Sequence, residues 1–515
     1  MYAVMVALAF CQTPIPGLND PQPAIRRDDL GQAKPTFESV ATPNNAVGWA
    51  VADIVTLAAH DRPYQRYLWI PPWGDYDMVR VVNYAIGMSV SSKARTIVYP
   101  DMLAGGWLLR YDLRRLAPKE HDLVRVIKIW DGHAFDDPYF HVPQVAIDAG
   151  RDAIAAPHLD EAANAKLLEL THSHAPILRA DWFVCEALST IDGGRYYQWM
   201  GYRRKAAGQL KAGETELSAM LADQGIDEEL SKRVGGVERV AMFRSKVTGK
   251  PRRVDRFQGA GGRSGTGAVW VTRDIADAVD DVPHHPIYNL LVFKINGSET
   301  IFELPNGLHG FALTDDVGNL VDEAPPNLAI DHTIPSPAAG GPGTARLQPA
   351  ISCIRCHSPN DGLQPAPNDV RTLLDSGLDV FDDVGVYGGR RLTREEAIDE
   401  LAGLYGGDFT RRLRLGRDDY AGAIHLASKG MSPREAATKL SAIWATVRWQ
   451  PVDAEWAAMT LGRKLTGGDG VSLLRDMLPN QAEEDPTIGA LKAGLEVTPG
   501  DWERVYFEAM NRIEN

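Results

Sequence analysis

One stretch divides the chain before any chemistry is considered. The segment "APPNLAIDHTIPSPAAGGPGTARLQP" (324–349) is dense in proline, glycine and small residues and carries no hydrophobic period. Such a composition neither continues a helix nor pairs in a sheet, so it reads as an inter-domain linker. The 515 residues allow two to four domains at about 150 residues each. We expect a partial export signal or leader over 1–20, an α+β domain over 21–325 with room for two subdomains, a linker over 326–349, and a helical domain over 350–515.

Before the linker, "AVGWAVADIVTLAAH" (46–60), "YDMVRVVNYAIGMSV" (76–90), "DEAANAKLLELTH" and "RADWFVCEALS" have helical spacing of apolar residues. "WLLRYDL" (107–113) and "LVRVIKIW" (123–130) predict strands, as do "VERVAMFRSKV", "GAVWVTRDI", "NLLVFKI" and "TIFELP". A hairpin turn is expected at Asp315–Gly318. Strands and helices do not alternate strictly, which favours α+β over a doubly wound sheet. After the linker almost everything predicts helix. Thr393 with Glu396, and Ser432 followed by Pro433, are helix starts, and Gly430 is placed to end a helix.

Apolar residues make up 44% and charged residues 24%, and the formal net charge is −14. An acidic chain is a poor sequence-independent nucleic-acid binder, which needs lysine and arginine against phosphate. No stretch is long enough to span a bilayer. The apolar run Ala3–Phe10 resembles the core of an export signal without its basic start. Cys11 raises a lipidation reading, but Phe10 stands where a small residue is wanted.

The four cysteines are Cys11, Cys185, Cys353 and Cys356, too few for a disulfide framework. Two of them fall in Cys353-Ile354-Arg355-Cys356-His357, the C-x-x-C-H pattern of covalent haem attachment. Two thiols three residues apart reach the two vinyl groups of one porphyrin edge, and the following histidine supplies the iron's proximal nitrogen. A zinc site wants a second ligand pair nearby, and 358–420 offers none; a redox dithiol wants a βαβ context. We therefore expect one covalent haem c on Cys353, Cys356 and His357, with His357 the metal ligand. Covalent attachment in bacteria takes place outside the cytoplasm, which implies a periplasmic or cell-surface protein. For the other iron face Met431 is one candidate, His425, Met459 and Met477 are rivals, and an open position is the alternative.

Around this motif the residues resemble a known group. "IFELPNGLHGFALTDDVGNLVDEAP", "ISCIRCHSPNDGL", "ILRADWFVCEALS" and "GLYGGDFTRRLRLGRDDYAGAI" are similar to patches of large monohaem c-type cytochrome-domain proteins of planctomycetes and related bacteria. The resemblance implies one c-type haem on Cys353, Cys356 and His357, export, and no assigned activity. Leu363 stands where the group implies methionine, and His309 where it implies glutamine or another polar residue; a solvated strand-end histidine is the expectation for His309.

Other motifs have plainer readings. "GAGGRSGTG" (259–267) mimics a phosphate loop but lies between strands, as a hairpin loop would. His172 and His174, and the pair His284 and His285, lack ligand partners at a recognisable spacing. Asp131, His133, Asp136, Asp137 and His141 read as a solvated turn, and Cys185 as a buried thiol. The function expected is electron transfer between periplasmic redox partners. Two alternatives stand beside it: a haem-dependent oxidoreductase with five-coordinate iron, and a surface-polymer binding module with a redox head.

Overall fold

The computed structural model describes residues 42–133, 139–140, 159–191, 193–233, 236–245, 251–262, 267–274, 295–325, 346–358, 367–376, 384–387, 390–406, 409–461, 469–479 and 485–514. The leader, Cys11, most of the linker, Leu363, Asp136, Asp137, His141, His284, His285 and "NLLVFKI" up to Lys294 lie outside them. The protein is mixed α/β. In chain order the elements used below are α1 Pro43–Ile54, β1 Gln65–Trp69, α2 Tyr76–Met88, β2 Asp101–Leu103, β3 Leu108–Asp112, α3 Glu120–Gly132, α4 Glu161–Thr171, β4 Ile177–Arg179 and α5 Ala180–Ala187. Next come α6 Tyr196–Met200, β5 Val237–Met242, β6 Arg252–Gln258, β7 Ala268–Asp274, β8 Gly297–Glu303, β9 His309–Asp315 and α7 Ile351–His357. The remainder is α8 Asp369–Ser376, the hairpin β10 Val384–Tyr387 and β11 Arg390–Thr393, α9 Arg394–Tyr405, α10 Phe409–Ala427, α11 Pro433–Arg448, α12 Ala454–Thr460, α13 Gly470–Met477, α14 Pro486–Lys492 and α15 Pro499–Glu514.

Helix starts follow local chemistry. Thr393 and Glu396 form a reciprocal capping box at α9, and Ser432 Oγ accepts from Glu435 N at 3.2 Å at α11. Gly430, at φ +106°, ends the preceding helix in a backbone conformation that favours glycine. Two expectations fail. "LVRVIKIW" lies within helix α3, not a strand: Leu123, Val126, Ile129 and Trp130 are buried at helical spacing, and that stripe outweighs the β-branched content. The region after the linker also holds the β10–β11 hairpin.

The chain divides into two compact units: Met1–Val79, Val98–Trp182 and Arg448–Asn515 in one, Arg80–Ile97 and Phe183–Val447 in the other. In the first, the sheet order is β2-β3-β1-β4, antiparallel except for the β1–β4 pair. The Asp53 carboxylate holds this sheet to α1, accepting from Tyr67 Oη at 2.9 Å and Arg110 Nη1 at 2.8 Å. The C-terminal helices close the same unit. Trp456 packs on Trp73 at 4.5 Å, Tyr506 on Tyr139 at 4.3 Å, and Glu503 lies 3.8 Å from Arg179.

The second unit is built on an antiparallel sheet, β5-β6-β7-β8-β9. Its register puts Glu238, Arg256, Trp270, Ile301, Phe311, Glu303 and His309 on one face. Helices α7 and α10 lie on that face. On the other, Asp255 is fully buried and takes Arg239 at 2.6 Å, Arg253 at 2.8 Å and Arg273 at 3.1 Å. Burial pushes the Asp255 carboxyl up, and the three guanidiniums overcome it and hold the group far below the usual carboxylate range. Three tyrosine hydroxyls satisfy the outer edge of β9: Tyr196 accepts from Phe311 N, Tyr202 donates to Phe311 O, and Tyr197 accepts from Leu313 N, each at 3.0 Å. An edge covered this way cannot template another strand.

Candidate functional site

The three C-x-x-C-H residues close the seven-residue helix α7. The chain turns into it at Ala350, whose φ of +63° is one of four positive values at non-glycine residues among those described. Such a conformation costs about 1–3 kcal/mol and persists only where surrounding contacts hold it. Ser189 Oγ donates to Gln348 Oε1 at 2.6 Å, Gln348 N donates to Ser352 Oγ at 3.2 Å, and Ile351 N reaches Leu188 O at 3.3 Å. Beyond the turn, Arg355 faces α11, with Nε 3.3 Å from Ser441 Oγ and its guanidinium over Trp444.

Cys353 is buried, Cys356 is partly buried, and neither is in a disulfide. His357 Nε2 lies 3.3 Å from Glu299 Oε1 on β8. Burial pushes the Glu299 carboxyl up, but the hydrogen bond and charge of His357, with Arg252 beyond, bring it down to about 2. Burial, then the charge of Glu299 and the neighbouring Cys356, push the Cys353 thiol well above its ordinary value. That is the reverse of what a reactive thiolate or redox dithiol needs.

The face around His357 holds a second imidazole. His309, the first residue of β9, is fully buried, so the solvated strand-end position expected from sequence is overturned. Its ring stacks on Tyr420 of α10, with centroids 3.8 Å apart and planes 4° from parallel. Phe311 lies 6.4 Å from both histidine rings, and Trp270 5.8 Å from that of His309. Tyr420 Oη is 3.2 Å from Tyr84 Oη and 3.3 Å from Ser358 Oγ. Neither nitrogen of His309 has a hydrogen-bond partner among the described residues. Burial, then the charge of His357, lower its pKa to about 3, so the ring is neutral. The next turn explains the Leu-Pro-Asn-Gly-Leu stretch. Asn306 Nδ2 donates to Gly87 O at 2.8 Å, Asn306 Oδ1 accepts from Leu308 N at 3.0 Å, and Gly307 sits at φ +88°.

The rival iron ligands named from sequence sit elsewhere in the fold. Met431 is buried in the turn between α10 and α11. There Arg80 Nε donates to Ser428 O at 2.9 Å and Asn83 Nδ2 to Ala427 O at 2.6 Å, a setting that accounts for a packing methionine. His425 is exposed on α10, and Met459 and Met477 belong to the other unit, on α12 and α13. Nor do the remaining motifs converge. His172 and His174 are exposed at the end of α4. Asp131 and His133 end α3 rather than forming a solvated turn: Asp131 pairs with Arg66 at 3.1 Å, and His133 is buried edge-on to Trp182. Cys185 is buried in α5. Among the described residues no cluster of three or more histidine, cysteine, aspartate or glutamate side chains is arranged to hold a metal ion. No helix among them is long and apolar enough to cross a membrane.

The donor set of α7 suits covalent haem in kind and spacing: two thiols outside any disulfide, three residues apart, followed by an imidazole. His309 escaped sequence reasoning because a histidine after Gly-Leu at a strand start carries no local sign of burial. Its alternation with Phe311 and Leu313 was the available signal. The chain matches no family model, no curated protein and no solved structure.

Proposed function

We propose that this chain is an exported, single-haem c-type cytochrome that passes one electron at a time between periplasmic partners. In this reading Cys353 and Cys356 hold the porphyrin, His357 holds the iron, and α7, α10 and α11 form a cytochrome c-like setting. The observation that carries it is the C-x-x-C-H triplet on one short helix, facing a sheet that buries a second, neutral imidazole with no hydrogen-bond partner among the described residues. Bound haem supplies a one-electron couple whose potential the axial ligands and burial set.

The chain's own residues have defined tasks. Cys353 and Cys356 would hold the porphyrin edge, and burial keeps the Cys353 sulfur a thiol in the unmodified chain. Glu299 holds the His357 ring toward the sheet, and His357 would hold the iron of a bound haem. Tyr420 fixes the plane of His309 by stacking, and Ser358 and Tyr84 fix Tyr420. A neutral imidazole with both nitrogens unused is what a metal requires of a ligand. We therefore assign His309, rather than Met431, to the second iron face.

The full chain matured with a c-type haem apparatus is expected to gain the mass of one haem and to stain for haem after a denaturing gel. Cys353→Ser with Cys356→Ser should abolish both; no haem gain in the wild type would sink the reading. The wild-type iron should be low-spin, without a methionine–iron charge-transfer band. His309→Ala should shift it to high-spin and open it to carbon monoxide, and added imidazole should reverse the shift. Ready carbon monoxide binding by the wild type would favour the five-coordinate oxidoreductase instead.

A further inference from the structure

A cleft of about 490 Å³ opens on the α10 side of the five-stranded sheet, and none of the C-x-x-C-H residues lines it. Its walls include Arg256, Ala268, Trp270, Glu303, Leu415 and Gly416. Arg411, Arg412 and Asp419 of α10 stand on its lining as exposed side chains. Gly262 lines the cleft at φ +76°, where a Cβ would fall 2.8 Å from Glu303 Oε2. At Gly416 a Cβ would meet the Trp270 ring at 3.3 Å and Glu303 Oε1 at 3.5 Å. Glycine at these positions keeps side chains out of the space beside Trp270 and Glu303.

Two buried donors in this lining have no acceptor among the described residues: Arg256 Nε and Trp270 Nε1. Leaving a buried donor unsatisfied costs about 1–3 kcal/mol, more for a charged group. The other contacts of Arg256 are long, 3.3 Å to Glu238 Oε2 and 3.4 Å to Gln258 Oε1. Glu238 also takes Arg412 Nε at 2.7 Å, so two guanidiniums share one carboxylate. Burial, reinforced by the charge of Asp419 and partly offset by the Ala268 amide and Arg256, pushes the Glu303 carboxyl up to about 7. The cleft thus combines two donors without an acceptor among the described residues, two arginines that share Glu238, and an apolar wall of Trp270 and Leu415.

We propose that this cleft binds a small organic anion, an oxyanion carried on a flat apolar body. The anion's oxygens accept from Arg256 and Trp270 and face Arg411 and Arg412, while the body lies against Trp270 and Leu415. The cleft volume falls within the range of small-molecule sites. This site stands whether or not the chain carries haem.

Calorimetry on the full chain with benzoate and with sulfate tests this, since neither probe titrates near neutrality. Saturable binding of benzoate is expected, with sulfate competing. Gly416→Leu, which fills the cleft without removing a charge, should abolish it while circular dichroism stays unchanged. Gly416→Ala is a milder variant if leucine disturbs the fold and should weaken binding. No saturable binding of either probe, or binding that survives Gly416→Leu in a folded protein, would overturn the proposal.

Discussion

His309 shows how one side chain can oppose stability in the haem-free protein. It is fully buried, neither nitrogen is hydrogen-bonded among the described residues, and its pKa falls to about 3. An unfolded histidine titrates near 6.5. Between those values the unfolded chain binds the extra proton, so stability is complete above about 6.5 and is lost as pH falls toward 3. Phenylalanine at 309 keeps the stack on Tyr420 and removes both orphan nitrogens. His309→Phe is therefore expected to stabilise the haem-free chain by about 1–3 kcal/mol at neutral pH and to blunt its loss of stability in mild acid. Urea unfolding at both pH values checks this; a destabilised variant would mean that the ring has a partner lost on substitution. Gly310 next to it is constrained from the other face, where a Cβ would fall 2.8 Å from Met200 Cε and closer still to the Phe302 ring. Gly310→Ala should cost about 1–3 kcal/mol by overpacking.

At the scale of elements, β6 is the instructive strand. "RRVDRFQ" carries no strand signal of its own, because four of its seven residues are charged. Pairing across the sheet resolves this: Asp255 is shared by three arginines from three adjacent strands, an arrangement that exists only once the register is set. Asp255→Ala removes the carboxylate that three buried guanidiniums share and is expected to cost about 3–5 kcal/mol in urea unfolding. Its carboxylate contributes above the unfolded value near 3.9, and the contribution fades as pH falls below that. The strands β5, β7 and β8 were legible because apolar or β-branched residues recur along them. Helix α3 was misread because Val124, Val126, Ile127 and Ile129 favour strand locally, while the buried stripe needs a 3.6-residue period. Helices α9 and α11 were legible because their caps are made by residues three apart.

For the whole molecule, the helices after the linker do not share one set of partners. Tyr420 and His357 meet His309 and Glu299 in one unit, while Trp456 and Glu503 meet Trp73 and Arg179 in the other. A fragment of residues 350–515 is accordingly expected to show no cooperative thermal transition, whereas the full chain unfolds cooperatively; a sharp transition in the fragment would refute this. By itself the sequence determined what depends on short spacings: the Cys353-Cys356-His357 triplet, the capped helix starts, the turn at Asp315–Gly318 and the glycine loop. Only tertiary structure decided what faces those residues. Glu299 beside His357, His309 stacked on Tyr420, and Trp270 with Arg256 in the cleft come together through strand register and helix packing. Local spacing fixes which side chains share a face, but it carries no information about which distant element that face meets.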